Sequence, residues 1–318
     1  MRITIIGTGA LGTSLGLALK AARQDLEIVG HDRRIENAQA AQQRGALDKA
    51  EWNLINAVNG ADLVFLAVPL AVIEETLRHI GPELRANAVV TDTASVKGQV
   101  LAAATRLLPH DVHFVGGHPL VQTRGQGPQT ASADLFQKRR YALTPLPQTP
   151  SEAVNLVAGV VDLLGAEPLF IDADEHDGLV TAVNQLPTAL AVILLKATTE
   201  QAGWREMSKM AGAAYADATR LPSEEAPELR ELLTANREAL QTWLARFQQQ
   251  LETLQQLLAN RDDKALEELL VKMLVTRAKW AENTETDERR ALVEEVQQSS
   301  SLGSLLFGGF LRKREKKK

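Results

Sequence analysis

Two short segments hold the residues best suited to moving a proton. One is Gly116-Gly117-His118-Pro119 and the other, upstream of it, is Ala94-Ser95-Val96-Lys97-Gly98. An imidazole titrates near pH 6.5, so a neutral histidine is a competent base around neutrality. Gly117 and Pro119 hold the backbone of His118 to one path, which suits a side chain that must keep a fixed aim. Ser95 adds a hydroxyl in the second segment, which like the first lies just past an apolar run. Lys97 has two readings, as a site cation or as the partner of Asp92 or the adjacent helix.

A third segment, Gly7-Thr-Gly9-Ala-Leu-Gly12, has glycines at the G-x-G-x-x-G spacing. Alone that pattern is weak, but here it follows an apolar run, opens a helical pattern and precedes Asp32, twenty residues past Gly12. The first glycine permits the tight turn, the second lets backbone amides approach a pyrophosphate, and the third lets helix pack on strand. A dinucleotide site is therefore expected at Gly7, Gly9, Ala10, Leu11 and Gly12, with Asp32 on the adenosine ribose. Val68 and Pro69, at the end of a later apolar run, and Ser95 are placed along the same cofactor. A carboxylate at Asp32 repels a 2′-phosphate and favours NAD, whereas Arg33 and Arg34 offer that phosphate a partner and keep NADP as the alternative.

The elements that must position these groups follow from the hydrophobic pattern. Apolar runs at residues 3–6, 27–30, 63–68, 88–91, 112–115 and 140–143 alternate with helical patterns at 10–22, 34–44 and 71–80. Strands that are apolar throughout, with helix-length connections, imply a parallel sheet covered on both faces. Ligands collect at the carboxyl ends of such strands, where the three segments lie. The expected fold class is α/β: a doubly wound (Rossmann) parallel-sheet domain over residues 1–172, followed by an all-helical dimerisation domain over 173–296. In that second part, residues 179–199 read as an all-round apolar, buried helix at a subunit contact, and 228–259 and 263–280 as amphipathic helices. Residues 297–318 read as a disordered tail ending in a basic cluster, or as a weak membrane-surface or partner contact made by the short apolar stretch beside that cluster.

Composition narrows the class. The chain has 318 residues, 45% hydrophobic and 24% charged, with net charge -5 and no cysteine. The charge gives no reason to expect nucleic acid as a partner, and no disulfide or thiolate chemistry is available. No metal cluster has ligand spacing, and no metal is expected. The opening Met1-Arg-Ile-Thr-Ile-Ile-Gly lacks a secretory pattern, and no consecutive apolar run reaches membrane-spanning length. A soluble, cytoplasmic protein with a small-molecule substrate is expected, dimeric through its helical part and without stable membrane insertion.

The ordered series of motifs resembles the prephenate/arogenate dehydrogenase family. The series continues after His118 with Asp174-Glu-His176-Asp177, Asp217-Ala-Thr219-Arg220 and Asn236-Arg237, covering about residues 1–240. The resemblance implies NAD(P)-dependent oxidative decarboxylation of a cyclohexadienol on the route to tyrosine. It makes His118 the base for the C4 hydroxyl, Ser95 an orienting group and Arg220 the partner of a substrate carboxylate, which suits the guanidinium fork. His176 with Asp177 reads as an interdomain structural pair.

Two segments depart from the family pattern. Asn184-Gln185-Leu186-Pro187-Thr188 stands where Ser-His-x-Pro-His is usual, so Gln185 and Thr188 are expected in the substrate pocket in place of two histidines. In Val121-Gln122-Thr123-Arg124-Gly125, Arg124 replaces a glutamate and is expected to meet an anionic substrate. These changes leave two alternatives open, a dehydrogenase of the same architecture acting on another carboxylated alcohol and a non-catalytic NAD-binding protein.

Overall fold

The computed structural model describes residues 1–123, 125–222 and 226–282. Arg124, residues 283–296 of the expected helical domain and the basic tail lie outside the described residues. By packing, residues 1–244 form one compact unit and residues 245 onward another.

The first unit is built on one eight-stranded sheet. Its strands are β1 (Arg2–Ile6), β2 (Glu27–His31), β3 (Lys49–Ala50), β4 (Leu63–Leu66), β5 (Val89–Asp92), β6 (His113–Pro119), β7 (Arg140–Pro145) and β8 (Glu167–Phe170), in the order β3-β2-β1-β4-β5-β6-β7-β8. The connecting helices are α1 (Ala10–Ala22), α2 (Ile35–Gln43), α3 (Leu54–Val58), α4 (Leu70–Ile80), α5 (Gly98–Leu107) and α6 (Ser151–Leu163). Successive residues of a strand face opposite sides of the sheet. Ile3, Ile5, Leu63 and Phe65 therefore pack with Leu15 and Leu19 of α1 and Val157 and Val161 of α6. Ile6, Val64, Leu66 and Val90 pack on the other side with Ile73 and Leu77 of α4 and Val100 and Leu101 of α5. Each such side chain contributes about 1.5–3 kcal/mol of burial.

The parallel expectation needs one correction. β7 pairs antiparallel with β6, while all the other pairs are parallel. A parallel return needs a covering crossover, usually a helix. Among its described residues, the β6–β7 connection offers only a short 3₁₀ turn, Pro128–Thr130. The α6 crossover restores the parallel direction for β8. Both β3, two residues long, and β8, an edge strand carrying Pro168, are too weakly apolar to show in the sequence pattern.

The glycine loop is dictated by contact. Gly7 adopts φ +91°, and a Cβ there would sit 2.3 Å from the carbonyl oxygen of Ala67. A Cβ on Gly12 would lie 1.9 Å from the carbonyl oxygen of Gly7. No other residue closes the turn and seats α1 against β1.

After the sheet the chain is helical: α7 (Ala173–Val180), a π-helical turn (Thr181–Gln185), α8 (Leu186–Thr199), α9 (Trp204–Met210), α10 (Ala213–Ala218), α11 (Ala226–Thr234), α12 (Arg237–Ala259) and α13 (Asp263–Glu282). Three sequence expectations change here. The apolar helix is continuous from Ala173 to Thr199, and by length and apolar content alone it is long enough to cross a bilayer. Yet His176, Asp177, Gln185 and Thr188 are buried along it, as in a helix packed against protein. Nor is it buried all round, since Leu179, Val183, Val192 and Ile193 are exposed. The expected 228–259 helix breaks near Asn236, whose side-chain amide donates to the Asp177 carbonyl and to Thr181 Oγ1.

Candidate active site

The glycine loop and the carboxyl ends of β4, β5 and β6 open into a cavity of about 1100 Å³, closed on other sides by the π turn, α8 and the end of α10. The glycine loop contributes Gly9, Ala10 and Leu11; the segment after β4 contributes Pro69; the loop after β5 contributes Ser95, and the end of β6 contributes His118. The helical part brings Asn184 of the π turn, Thr188 of α8, Asp217 of α10 and, just past α10, Arg220. A smaller cavity of about 340 Å³, beside His110 and His113 at the opposite end of β6, contains none of these groups.

A buried polar network holds the wall that carries Ser95 and His118. Asp92 and Lys97 are fully buried, and the Lys97 ammonium donates to Asp92 Oδ2 and, at 2.6 Å, to the Gly117 carbonyl. Asp92 also accepts from Gly117 N at 2.9 Å and Ala94 N at 3.0 Å. One ion pair thus ties the end of β5 to the residue before His118. Burial pulls the Lys97 pKa down, against the attraction of Asp92.

His118 is buried, 6% exposed, and its Nδ1 lies 3.0 Å from Nε2 of His176. His176 Nδ1 in turn lies 2.8 Å from Asp177 Oδ1. Burial, then the Lys97 charge and His176, hold the His118 pKa well below the ordinary histidine value, so the ring is a neutral acceptor at neutral pH. Although its own burial works in the other direction, hydrogen bonds from His176, Gly98 N and Lys97 N keep the Asp177 carboxyl below the usual carboxylate range.

At the cofactor end, α1 begins at Gly9 with no side-chain cap and no acidic residue in its first turn. A Cβ on Gly9 would meet nothing within 4 Å. Free amides at a helix start with open space before them suit a phosphate. Asp32, past β2, accepts from Thr8 N at 2.8 Å, Thr8 Oγ1 at 3.3 Å, Arg34 N at 2.9 Å and Asn37 Nδ2 at 3.2 Å. These four hydrogen bonds hold its carboxylate toward the glycine loop and the start of α2. Exposed Arg33 follows it, and neither residue lines the cavity. Val68 packs beside Gly7 instead of lining the cavity.

Two family profiles match in succession. The prephenate dehydrogenase nucleotide-binding domain matches residues 15–169, and the prephenate dehydrogenase dimerization domain matches residues 172–272. Prephenate dehydrogenase from Lactococcus lactis subsp. cremoris is 31% identical over 270 residues, covering 84% of this chain and 73% of that protein. The chain belongs to the prephenate dehydrogenase family. The crystal structure of Synechocystis arogenate dehydrogenase is similar at TM-score 0.74 and 28% identity, covering 88% of this chain and all of that one. That of A. aeolicus prephenate dehydrogenase, in complex with hydroxyphenyl propionate and NAD+, shares the fold at TM-score 0.81 and 24% identity, covering 88% of this chain and 98% of that one.

Within this family architecture the structure brings together Gly9, Ala10, Leu11, Pro69, Ser95, His118, Thr188 and Arg220. Arg220 is exposed and donates to Asp217 Oδ1 at 2.6 Å. Gln185 needs a correction. It is fully buried and does not line the cavity; Asn184 and Thr188 do. The π turn inserts a residue relative to α-helical spacing and rotates Gln185 inward. Neither Gln185 Oε1 nor Nε2 finds a hydrogen-bond partner among the described residues. An unsatisfied buried amide costs about 1–3 kcal/mol. Gln185→Met, similar in volume and apolar, is expected to raise the thermal midpoint with activity retained. An unchanged or lower midpoint shows that the amide is satisfied.

Sequence reasoning gave His176 and Asp177 only a structural part. The contact of His176 with His118 crosses 58 residues of chain, and only the adjacency of His176 and Asp177 signalled it.

Proposed function

We propose that the chain catalyses NAD-dependent oxidative decarboxylation of prephenate, with His118 as the base. The observation that carries this reading is a neutral, buried His118 sharing one cavity with Ser95, the glycine loop and Arg220. Bound NAD supplies the hydride acceptor. The start of α1 and Gly9 would hold its pyrophosphate, and Asp32 would accept from its ribose hydroxyls. The Asp32 carboxylate supports NAD over NADP. Ser95 orients the C4 hydroxyl of the substrate, and His118 takes that proton as the ring aromatises and carbon dioxide departs. Arg220 keeps Asp217 on one guanidinium nitrogen and turns its other donors to the substrate carboxylate, and Thr188 and Asn184 line the same wall. Arg124 remains assigned to the anionic substrate by its place in the sequence alone.

Prephenate is favoured over arogenate because arogenate carries an ammonium where prephenate carries a ketone. Among the described lining residues the one carboxylate is Asp217, already engaged by Arg220. The exposed apolar residues of α7, the π turn and α8 lie in the segment matched by the dimerization domain, and a second copy of the chain covers them in this reading.

Initial rates of cofactor reduction with prephenate and arogenate, each against NAD and NADP, test the assignment. Prephenate with NAD is expected to give the highest kcat/KM; no reduction with either substrate removes the proposed activity. Arg220→Ala, in the same assay, is expected to raise KM for prephenate about 10–100-fold, the worth of a hydrogen bond to a charged group. KM for NAD is expected to stay unchanged.

A further inference from the structure

We propose that His176 and Asp177 are positioning residues for the base, fixing which ring nitrogen of His118 faces the cavity. The proposal rests on the reading of His118 as the base. Its argument is one of proton counting along three buried side chains.

Asp177 is an ionised carboxylate and only accepts. At 2.8 Å from it, His176 Nδ1 therefore carries the proton. In neutral His176 that leaves Nε2 as a lone pair, and Nε2 is the atom 3.0 Å from His118 Nδ1. Two lone pairs do not face each other at that distance, so His118 Nδ1 carries a proton and donates. His118 Nε2 is then bare. It makes no hydrogen bond within the described protein, and the ring it belongs to lines the cavity. The rings meet edge to face, 80° apart with centroids at 5.1 Å, which aims one nitrogen at the other.

The reverse pattern needs a charged His176 donating to His118. That puts a charge on a side chain only 2% exposed, and it turns the lone pair of His118 toward His176 and away from the cavity. Charged groups come to His118 from three elements: Asp92 at the end of β5, Lys97 before α5, and Asp177 with His176 on α7. Lys97, although paired with Asp92, still acts against a charge on His118, and Asp177 is the carboxylate one ring away.

The scaffold fixes this row from both ends. Asp172 accepts from Asp174 N and Glu175 N and so starts α7 where His176 and Asp177 fall in its first turns. Asp177 also accepts from Lys97 N at 2.7 Å and Gly98 N at 2.9 Å, stapling α7 to the start of α5 and the loop that bears Ser95. When His118 takes the substrate proton on Nε2, its Nδ1 proton stays in the hydrogen bond to His176. The new imidazolium thereby gains a charge-assisted bond backed by a carboxylate.

The test combines ¹⁵N NMR of histidine-labelled full chain with NAD present and steady-state kinetics of His176→Gln and His176→Phe. In the unmutated protein His118 is expected to show a protonated Nδ1 and a bare Nε2. Gln can donate to Asp177 and accept from His118, so it keeps that tautomer and most of kcat. Phe removes the acceptor, mixes the tautomers and lowers kcat about 10²-fold, the lower end of what a general base contributes, with both KM values unchanged. A protonated Nε2 in the unmutated protein overturns the proposal, as does a Phe variant with unaltered tautomer and kcat. If the Phe variant does not fold, the unmutated tautomer and the Gln variant decide. A chain that shows the expected tautomer but reduces no cofactor with prephenate retains the positioning role and loses the proposed activity, so the two failures are distinct.

Discussion

His118→Asn is expected to lower kcat with prephenate by about 10²–10⁴-fold, the usual contribution of a positioned general base. Asparagine keeps a polar group near the same place and can still donate to His176, so the wall between β5 and β6 should survive. What disappears is the lone pair that takes the C4 proton. Binding of NADH, followed by its fluorescence, is expected to match the unmutated chain, since the glycine loop and Asp32 are untouched. The unmutated enzyme carries a linked signature in pH. Burial and Lys97 hold the His118 pKa below the ordinary 6.5. The neutral, active form is therefore fully present above pH 6.5 and is lost as pH falls through the depressed pKa. The acid limb of kcat/KM is thus expected below pH 6.5 and should vanish from the residual activity of His118→Asn. An undiminished kcat in the variant takes the base role from His118.

The parts of this site that were legible in the sequence are the parts fixed by local geometry. Gly7 and Gly12 announce themselves because no side chain fits where the turn meets Ala67 and where α1 meets the turn. Ser95 and His118 stand at strand ends, and strand ends in an open α/β sheet converge on one crevice whatever the loops do. Arg220 was found through the resemblance, and the structure brings it to the rim of the same cavity. What escaped depends on spacing that a linear pattern does not encode. The π turn changes which of Asn184 and Gln185 faces the cavity, so counting from Pro187 picks the wrong amide. The antiparallel β7 follows from the lack of a crossover helix among the described residues of the β6–β7 connection, a feature of the loop and not of the strand. His176 and Asp177 look like one more charged pair at a helix start until the fold sets them behind His118.

Lys97→Met carries the largest expected effect on stability, and the reason lies in what it leaves behind. Asp92 and Lys97 are both fully buried and neutralise each other. Such a pair is weak evidence of net stabilisation, because desolvation of both ions offsets most of their attraction. Removing one partner is a different matter, since it strands an uncompensated carboxylate in the core at a cost of about 3–5 kcal/mol. For a unit of this size that corresponds to a fall in Tm on the order of 10 °C. Lys97→Met combined with Asp92→Asn should recover much of the loss, because the amide that replaces the carboxylate carries no stranded charge and its oxygen still accepts from Gly117 N. A double variant no more stable than the single would mean that packing of the lysine stem, and not charge, holds this wall. The same substitution speaks to the chemistry. The Lys97 charge is one of the causes that keep His118 neutral, so its removal raises the His118 pKa and moves the acid limb of kcat/KM to higher pH. A destabilised single variant whose acid limb does not move would confine Lys97 to the scaffold. A limb displaced upward makes this one buried ammonium both the tie between β5 and β6 and the charge that keeps the base free to accept a proton.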